Sequence, residues 1–281
     1  MAGAALWIAA AIAAQAEPAM WVVRDHDSTI YLIGTVHVLR PEMVWNSEKV
    51  MKAIGESTEL WLEVLEAEEA MAVAPLIQKL GVDMEKPLSK KLNAKQKARL
   101  AKVAGTFGIP VASLEPMKPW VVATMLTVLQ VQKAGYDAKS GVERVLQTQA
   151  EKEGDKVVGL ETLEEQVGFF AGLSDAEQIA FLEQTLEDAE EGVALLDRLA
   201  KAWSEGDVDT ITRVVVDELK REAPNVYDKL LVQRNIRWAQ KVQQLLHGSG
   251  VHQIAVGAGH LAGRDSLQAQ LAKRGIKAER F

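Results

Sequence analysis

Ile30-Tyr31-Leu32-Ile33-Gly34-Thr35-Val36-His37 near the front of the chain and Gln253-Ile254-Ala255-Val256-Gly257-Ala258-Gly259-His260 near its end carry one pattern twice. Each is a short run that reads as a buried strand, followed by a Gly-x-x-His string. Each therefore sets a histidine just past the C-terminal end of a strand, where open α/β sheets place their ligands. Fewer than one Gly-x-x-His string is expected by chance from 20 Gly and 5 His in 281 residues. Two of them, both behind strands and at opposite ends of the chain, make a frame for reading what lies between.

Two further strands end in carboxylates. Thr58-Glu59-Leu60-Trp61-Leu62-Glu63-Val64 alternates, with Leu60, Leu62 and Val64 on one face and Glu59, Trp61 and Glu63 on the other. Lys156-Val157-Val158-Gly159-Leu160-Glu161 is the second, and Thr162-Leu163-Glu164-Glu165 is a capping box that starts a helix at once. Before the first Gly-x-x-His string, residues 20–24 form a strand. Asp25-His26-Asp27-Ser28 joins it to the next as a hairpin turn, with His26 a solvated loop residue.

The rest reads as mainly helical. The patterns predict helices over 44–54 with Gly55 as stop, 66–80, 94–107, 115–133, 141–153, 178–204, 207–222, 224–247 and 261–274. Gly81 and Gly108 are the expected C-caps of the second and third. Val111-Ala112-Ser113-Leu114 reads as a short strand and 276–281 as an edge strand. Ser174-Asp175-Ala176-Glu177 is a second capping box ahead of an acidic, solvated helical face. In the helix from Pro224 the apolar stripe runs Tyr227, Leu230, Leu231, Trp238, Val242, Leu245, and Arg234 takes a slot on it. A charge there must snorkel out or find an anion. The fold class is α/β: a small mixed central sheet covered by many helices.

Composition sets the outer limits. The net charge is −7 and no basic stripe is present, which argues against nucleic acid as a partner. With no cysteine, disulfides, zinc–thiolate sites, cysteine nucleophiles and a lipidated cysteine are excluded. Any metal must be held by His, Asp, Glu or backbone oxygens. Residues 4–14 form an apolar run ending in Ala14-Gln15-Ala16, which reads as a signal peptide over 1–16 lacking the usual leading basic residue. The expectation is a secreted, periplasmic protein with one domain over 17–281. Beyond that start, no run reaches the ~20 apolar residues of a membrane span.

If the four strands share one rim, His37, Glu63, Glu161 and His260 converge as ligands of a divalent ion. Such an ion lowers the pKa of bound water, and a spare carboxylate serves as general base. Arg234 would pair with a carboxylate, or hold a substrate carboxylate or a developing oxyanion, with Asn235 beside it. Each residue alone has a plainer reading. The histidines would be hydrogen-bonded loop or core residues, Glu63 an exposed strand end, Glu161 a helix-start acid and Arg234 a structural bridge. Their joint occurrence favours a site. No Gly-x-Ser-x-Gly elbow, P-loop, dinucleotide fingerprint or His-Glu-x-x-His helix is present.

The chain resembles the TraB/GumN family, in its bacterial GumN-like branch. The resemblance rests on residues 28–39, Gly159-Leu160-Glu161-Thr162 with Glu165-Gln166, Arg234-Asn235, and residues 256–261 followed by Gly263. Trp21 and Pro119-Trp120 also fit. It places the two Gly-x-x-His motifs on His37 and His260 and the acidic positions on Glu63 and Glu161. The Tiki branch implies a metal-dependent protease working with manganese- or cobalt-type ions, with zinc or iron as alternatives here. TraB and PrgY imply a link to peptide pheromones, and GumN a polysaccharide gene cluster. The wider likeness to erythromycin esterases and a haem-binding ChaN-like lipoprotein implies the small-sheet architecture. The leading expectation is a peptidase-like metal-dependent hydrolase. The alternatives are a binding protein that sequesters a peptide or haem, and motifs that serve only as scaffolding.

Overall fold

A computed structural model describes residues 17–281, excepting the side chains of residues 66–72 and 191. The expected signal peptide over 1–16 lies outside the described residues. Six strands make one sheet: β1 Met20–Arg24, β2 Ser28–Thr35, β3 Glu59–Leu62, β4 Lys156–Gly159, β5 Gly250–Gly257 and β6 Ala278–Arg280. Their order is β4-β3-β5-β2-β1-β6. The four strands β4, β3, β5 and β2 run parallel, while β1 returns antiparallel along β2 and β6 antiparallel along β1. The sheet is mixed, and the last strand is the edge strand expected from the sequence.

The apolar runs explain the layering. A parallel strand covered on both faces needs no polar side, so its residues need not alternate in polarity. They still alternate in direction. Tyr31, Ile33, Leu60, Leu62 and Ala255 face one layer of helices, where Val50, Ile54, Val142, Leu146 and Trp203 meet them. Ile30, Leu32, Trp61, Ile254 and Val256 face the other, against Trp238, Ala239, Val242, Leu267 and Leu271. Each fully buried Leu, Ile or Val side chain contributes roughly 1.5–3 kcal/mol relative to exposure. A further helical cluster packs Leu100, Val103, Val122, Leu126, Leu182 and Leu186.

Because β2, β5, β3 and β4 are parallel, their C-terminal ends share a rim. Thr35 pairs with Gly257, Leu62 with Ala255, and Leu62 with Gly159. The β3–β4 ladder continues past both strands: Leu160 N–H donates to Leu62 O at 2.7 Å and Glu161 N–H to Glu63 O at 2.9 Å. The two acidic positions are therefore neighbours in register. Gly34 lets the two histidine turns touch, since a Cβ there would sit 3.2 Å from Ala258 Cα.

Several elements differ from expectation. Residues 111–114 form a 3₁₀ turn and not a strand. Ser113 offers both its N–H and its hydroxyl to Pro110 O, at 2.9 and 2.7 Å, a local bond that replaces a ladder. The next helix begins at Pro119. The first helix is Glu48–Glu56, so Gly55 lies inside it. The stretch 178–204 is two helices, Asp175–Glu191 and Val193–Ser204, broken at Gly192 with φ +67°. After β5 a 3₁₀ turn, Ala258–Leu261, carries the second histidine, and Gly263 at φ +77° delays the last helix to Leu267–Ala272. The expected helices over 207–222 and 224–247 each contain a π-helical segment, Thr212–Val216 and Asp228–Val232. The second one splits the apolar stripe. Leu230 packs with Ala223 and Val226, and Leu231 with the sheet cluster. Among the described residues no helix is long and apolar enough to cross a membrane.

Candidate functional site

Arg234, on the helix Gln233–Leu245, is the centre of the rim. It is buried, as a residue on that apolar stripe must be, and it meets two buried carboxylates. Nε lies 3.0 Å from both Glu161 oxygens, and Nη2 lies 2.5 Å from Glu63 Oε2 and 2.9 Å from Glu161 Oε2. Nη1 donates to Leu230 O at 3.2 Å and meets His260 Nε2 at 3.1 Å. The five N–H donors of the guanidinium are thus engaged inside the protein. Its face stacks over Trp238, 4.7 Å from the ring centre. Arg237 adds a contact to Glu161 Oε1 at 3.3 Å.

His260 is held from both sides. Asn235 Nδ2 donates to Asp265 O at 2.9 Å, which turns Asn235 Oδ1 toward His260 Nδ1 at 2.7 Å. An amide oxygen only accepts, so the network assigns the ring proton to Nδ1 and a lone pair to Nε2. Burial pushes the His260 pKa down to about 3, helped by Arg234 and His37 and opposed by Glu63. The imidazole is neutral at pH 7. Burial pushes the Glu63 carboxyl up, but Arg234, His260, His37 and the Gly257 N–H at 2.7 Å outweigh it and hold it at about 2. Glu161 ends above its ordinary value, because burial and the adjoining Glu63 charge outweigh Arg234 and Arg237.

His37 stands apart, with its side chain 71% exposed. Its Nδ1 lies 2.9 Å from Oε1 of Glu143, a residue absent from the sequence expectations. Thr35 donates its hydroxyl to the same oxygen. Burial raises the Glu143 carboxyl, and His37 with Thr35 more than offsets that, leaving it below its ordinary value. Glu143 lies in the first turn of the helix Val142–Glu153. In sequence it looks like any acid in a first turn, and no motif marks it.

A cavity of about 360 Å³ opens on this rim. Its polar side carries His37, Glu63, Arg234 and His260, and its apolar side Leu196, Leu199, Trp203, Ile211, Val215 and Leu231. Trp203 ties the apolar side down by donating Nε1–H to Gly34 O at 2.8 Å. Of the six residues expected from the sequence, the structure brings Glu63, Glu161, Arg234, Asn235 and His260 into one hydrogen-bonded cluster and sets His37 on the same cavity. Glu161 is held by the two arginines and is not among the residues that line the cavity.

The donor chemistry fits a divalent ion of the mixed nitrogen–oxygen type. His260 Nε2 and Glu63 Oε1, 3.8 Å apart, are a nitrogen and an oxygen donor of the kind that would hold such an ion. The fit requires Arg234 to give up the His260 lone pair. Among the described residues, the group whose three donors all lie within 4.8 Å of one another is Asp25, His26 and Asp27, exposed on the β1–β2 turn. His37, Glu63, Glu161 and His260, expected to converge as ligands, are not brought that close together.

The chain matches known proteins along almost all of its described residues. The model of the TraB/PrgY/gumN family matches residues 19–280. The uncharacterized protein YbaP of Escherichia coli (strain K12) is 24% identical over 254 residues, 90% of this chain and 92% of that protein. YbaP of Shigella flexneri gives the same figures. An uncharacterized protein of Treponema pallidum (strain Nichols) is 21% identical over 272 residues, 92% of this chain and 81% of that one. No solved structure matches. With two histidine turns on one parallel rim and a family match from β1 through β6, the chain belongs to the TraB/PrgY/gumN family.

Proposed function

We propose that the protein is a metal-dependent hydrolase that cleaves a peptide or amide bond. One observation carries this reading: His260, Glu63 and His37 line a single cavity together with a set of apolar side chains. His260, Glu63 and His37 would hold the ion. Manganese or cobalt is the first choice, with zinc or iron as alternatives. When bound, such an ion supplies a water of lowered pKa and polarises a carbonyl.

The protein's own groups have distinct tasks. Glu63, held ionised at about 2, suits a ligand and not a general base, which works best with a pKa near the operating pH. Arg234 keeps its bonds to Glu63, Glu161 and Leu230 O and so sets the position of Glu63. The Nη1–H that would leave His260 on ion binding is the donor it could turn to a substrate carbonyl or developing oxyanion. Asn235 fixes the His260 tautomer, as the partners of metal-binding histidines commonly do. Glu161 anchors Arg234. The apolar wall accepts a bulky apolar group of the substrate. Export through the stretch over 1–16 belongs to the same proposal.

Thermal unfolding with and without Mn²⁺, Co²⁺ and Zn²⁺ tests it, comparing the parent with a His37→Ala/His260→Ala variant. An ion at ~100 times its Kd adds about 2.7 kcal/mol to the native state. A rise in Tm in the parent that vanishes in the variant supports the site, and a peptide library then reads cleavage. Stoichiometric peptide or haem binding without turnover would favour sequestration. No rise with any ion, in parent or variant, overturns the metal reading.

A further inference from the structure

The helix carrying Glu143 is docked on the first histidine turn. Val142 N–H donates to Val36 O at 3.1 Å, and a Cβ on Gly141 would lie 2.3 Å from His37 O. Glu143 thereby reaches under the turn with a side chain only 13% exposed. Its Oε1 takes both the Thr35 hydroxyl and His37 Nδ1. Its Oε2 is buried with no hydrogen-bond partner among the described residues. A buried carboxylate that leaves one oxygen unpaired is an expensive way to begin a helix, and such a group calls for a reason. An acid in the first turn would serve the helix dipole equally well from solvent.

The second histidine turn points to the reason. His260 is held at Nδ1 by the oxygen of Asn235, which leaves the lone pair on Nε2, and the residue lines the cavity. His37 is held at Nδ1 by the oxygen of Glu143 and lines the same cavity. The bond made by one ring nitrogen decides which nitrogen carries the proton. An imidazole 71% exposed on a turn has several rotamers open to it in water. A charge-assisted bond to a carboxylate that Thr35 already fixes selects one.

We propose that Glu143 is the positioning residue of His37, accepting its Nδ1–H so that Nε2 is the lone-pair nitrogen presented to the cavity shared with Glu63 and His260. This rests on the metal-hydrolase reading for its purpose. The tautomer it sets is a property of the protein alone. The acidic partner of the first histidine turn is then Glu143, while Glu161 serves Arg234.

The test uses the full chain, labelled with ¹⁵N, as parent, Glu143→Met and Glu143→Asp. Imidazole ¹⁵N spectra at pH 9, without metal, read the His37 tautomer. Calorimetry with Co²⁺ reads affinity, and thermal unfolding without metal reads folding. The parent is expected to hold His37 with the proton on Nδ1. Glu143→Met should lose that preference and bind Co²⁺ about 10–100-fold more weakly. Glu143→Asp should recover part of both, while all three unfold cooperatively. An unchanged His37 tautomer in a folded Glu143→Met overturns the proposal, as does unchanged Co²⁺ affinity. If the tautomer shifts but the parent binds no Co²⁺, the metal reading fails and the positioning role stands. If Glu143→Met does not fold, Glu143→Asp decides: an Nδ1 proton retained with restored affinity supports the role, and a parent-like fold with a random tautomer overturns it.

Discussion

Arg234 and Glu63 meet at 2.5 Å with both side chains 8% exposed, and the same guanidinium holds Glu161. A buried pair of this kind is weak evidence for net stability, because desolvation opposes the attraction. Breaking it is another matter. Arg234→Ala leaves two buried carboxylates without their shared cation, Glu63 keeping the Gly257 N–H and Glu161 keeping Arg237, and is expected to cost about 3–5 kcal/mol. Arg234→Lys should recover little, since three donors on a point charge cannot reproduce the planar fork between Glu63, Glu161, Leu230 O and His260. Urea unfolding of the three proteins measures this. A loss below about 1 kcal/mol in Arg234→Ala would show that the cluster does not depend on its arginine.

The neutral state of His260 gives the protein a pH signature. In the unfolded chain its pKa is near 6.5, and in the folded protein it is about 3. The folded state therefore binds fewer protons than the unfolded state between those values. Its contribution is fully present above 6.5 and is lost as pH falls toward 3, at about 1.4 kcal/mol per pH unit. Glu63, at about 2 instead of its ordinary 4.5, adds a second loss that begins only below 4.5. In metal-free buffer, stability between pH 6.5 and 4.5 should fall more steeply in the parent than in His260→Gln. Equal slopes in that window would mean that His260 is not buried as a neutral imidazole.

Much of the site was legible because strand ends and parallel register are local properties. The apolar runs before Gly34 and Gly257 marked buried strands, and the carboxylates at Glu63 and Glu161 followed from where strands stop. The slot of Arg234 on an apolar stripe left it to snorkel out or find an anion, and the structure pairs it with two. Glu143 was not legible, because its meaning comes from a helix docking on a turn about a hundred residues away in sequence. The π-helical segments also escaped. One extra residue per turn leaves no mark in a pattern of period 3.6, yet Asp228–Val232 sends Leu230 and Leu231 to different clusters. Residues 111–114 misled because a short apolar run fits a strand or a turn equally, and the Ser113 bond to Pro110 O decides between them.

Glu161 and Thr162 divide the work at the end of β4. The Thr162 hydroxyl accepts from Glu165 N–H at 3.2 Å, and Glu165 returns a carboxylate to Thr162 N–H at 2.8 Å. This box starts the helix Leu163–Ala171 two residues after Glu161 turns inward. Thr162→Ala should cost about 1 kcal/mol. If the cap also sets the approach of Glu161, the cost should shrink in an Arg234→Ala background, where that approach no longer matters. Chemical denaturation of the double-mutant set reads both quantities, and equal costs in the two backgrounds would assign the box to the helix alone.

The last prediction concerns how the two histidine turns fit each other. Gly34 begins the first Gly-x-x-His string and Ala258 is the second residue of the other. A Cβ on Gly34 would sit 3.2 Å from Ala258 Cα and 3.4 Å from its Cβ, closer than ordinary packing allows. Gly34 has no left-handed backbone angle, so the requirement is space and not conformation. Gly34→Ala should therefore overpack the junction at a cost of about 1–3 kcal/mol, and spread the two turns that carry His37 and His260. Ala258→Gly removes one of the two crowding atoms. Combined with Gly34→Ala it should recover at least about 0.5 kcal/mol relative to the sum of the single changes, the mark of residues in contact. Strict additivity across the cycle, measured by urea unfolding, would show that the two strings do not share a packed junction.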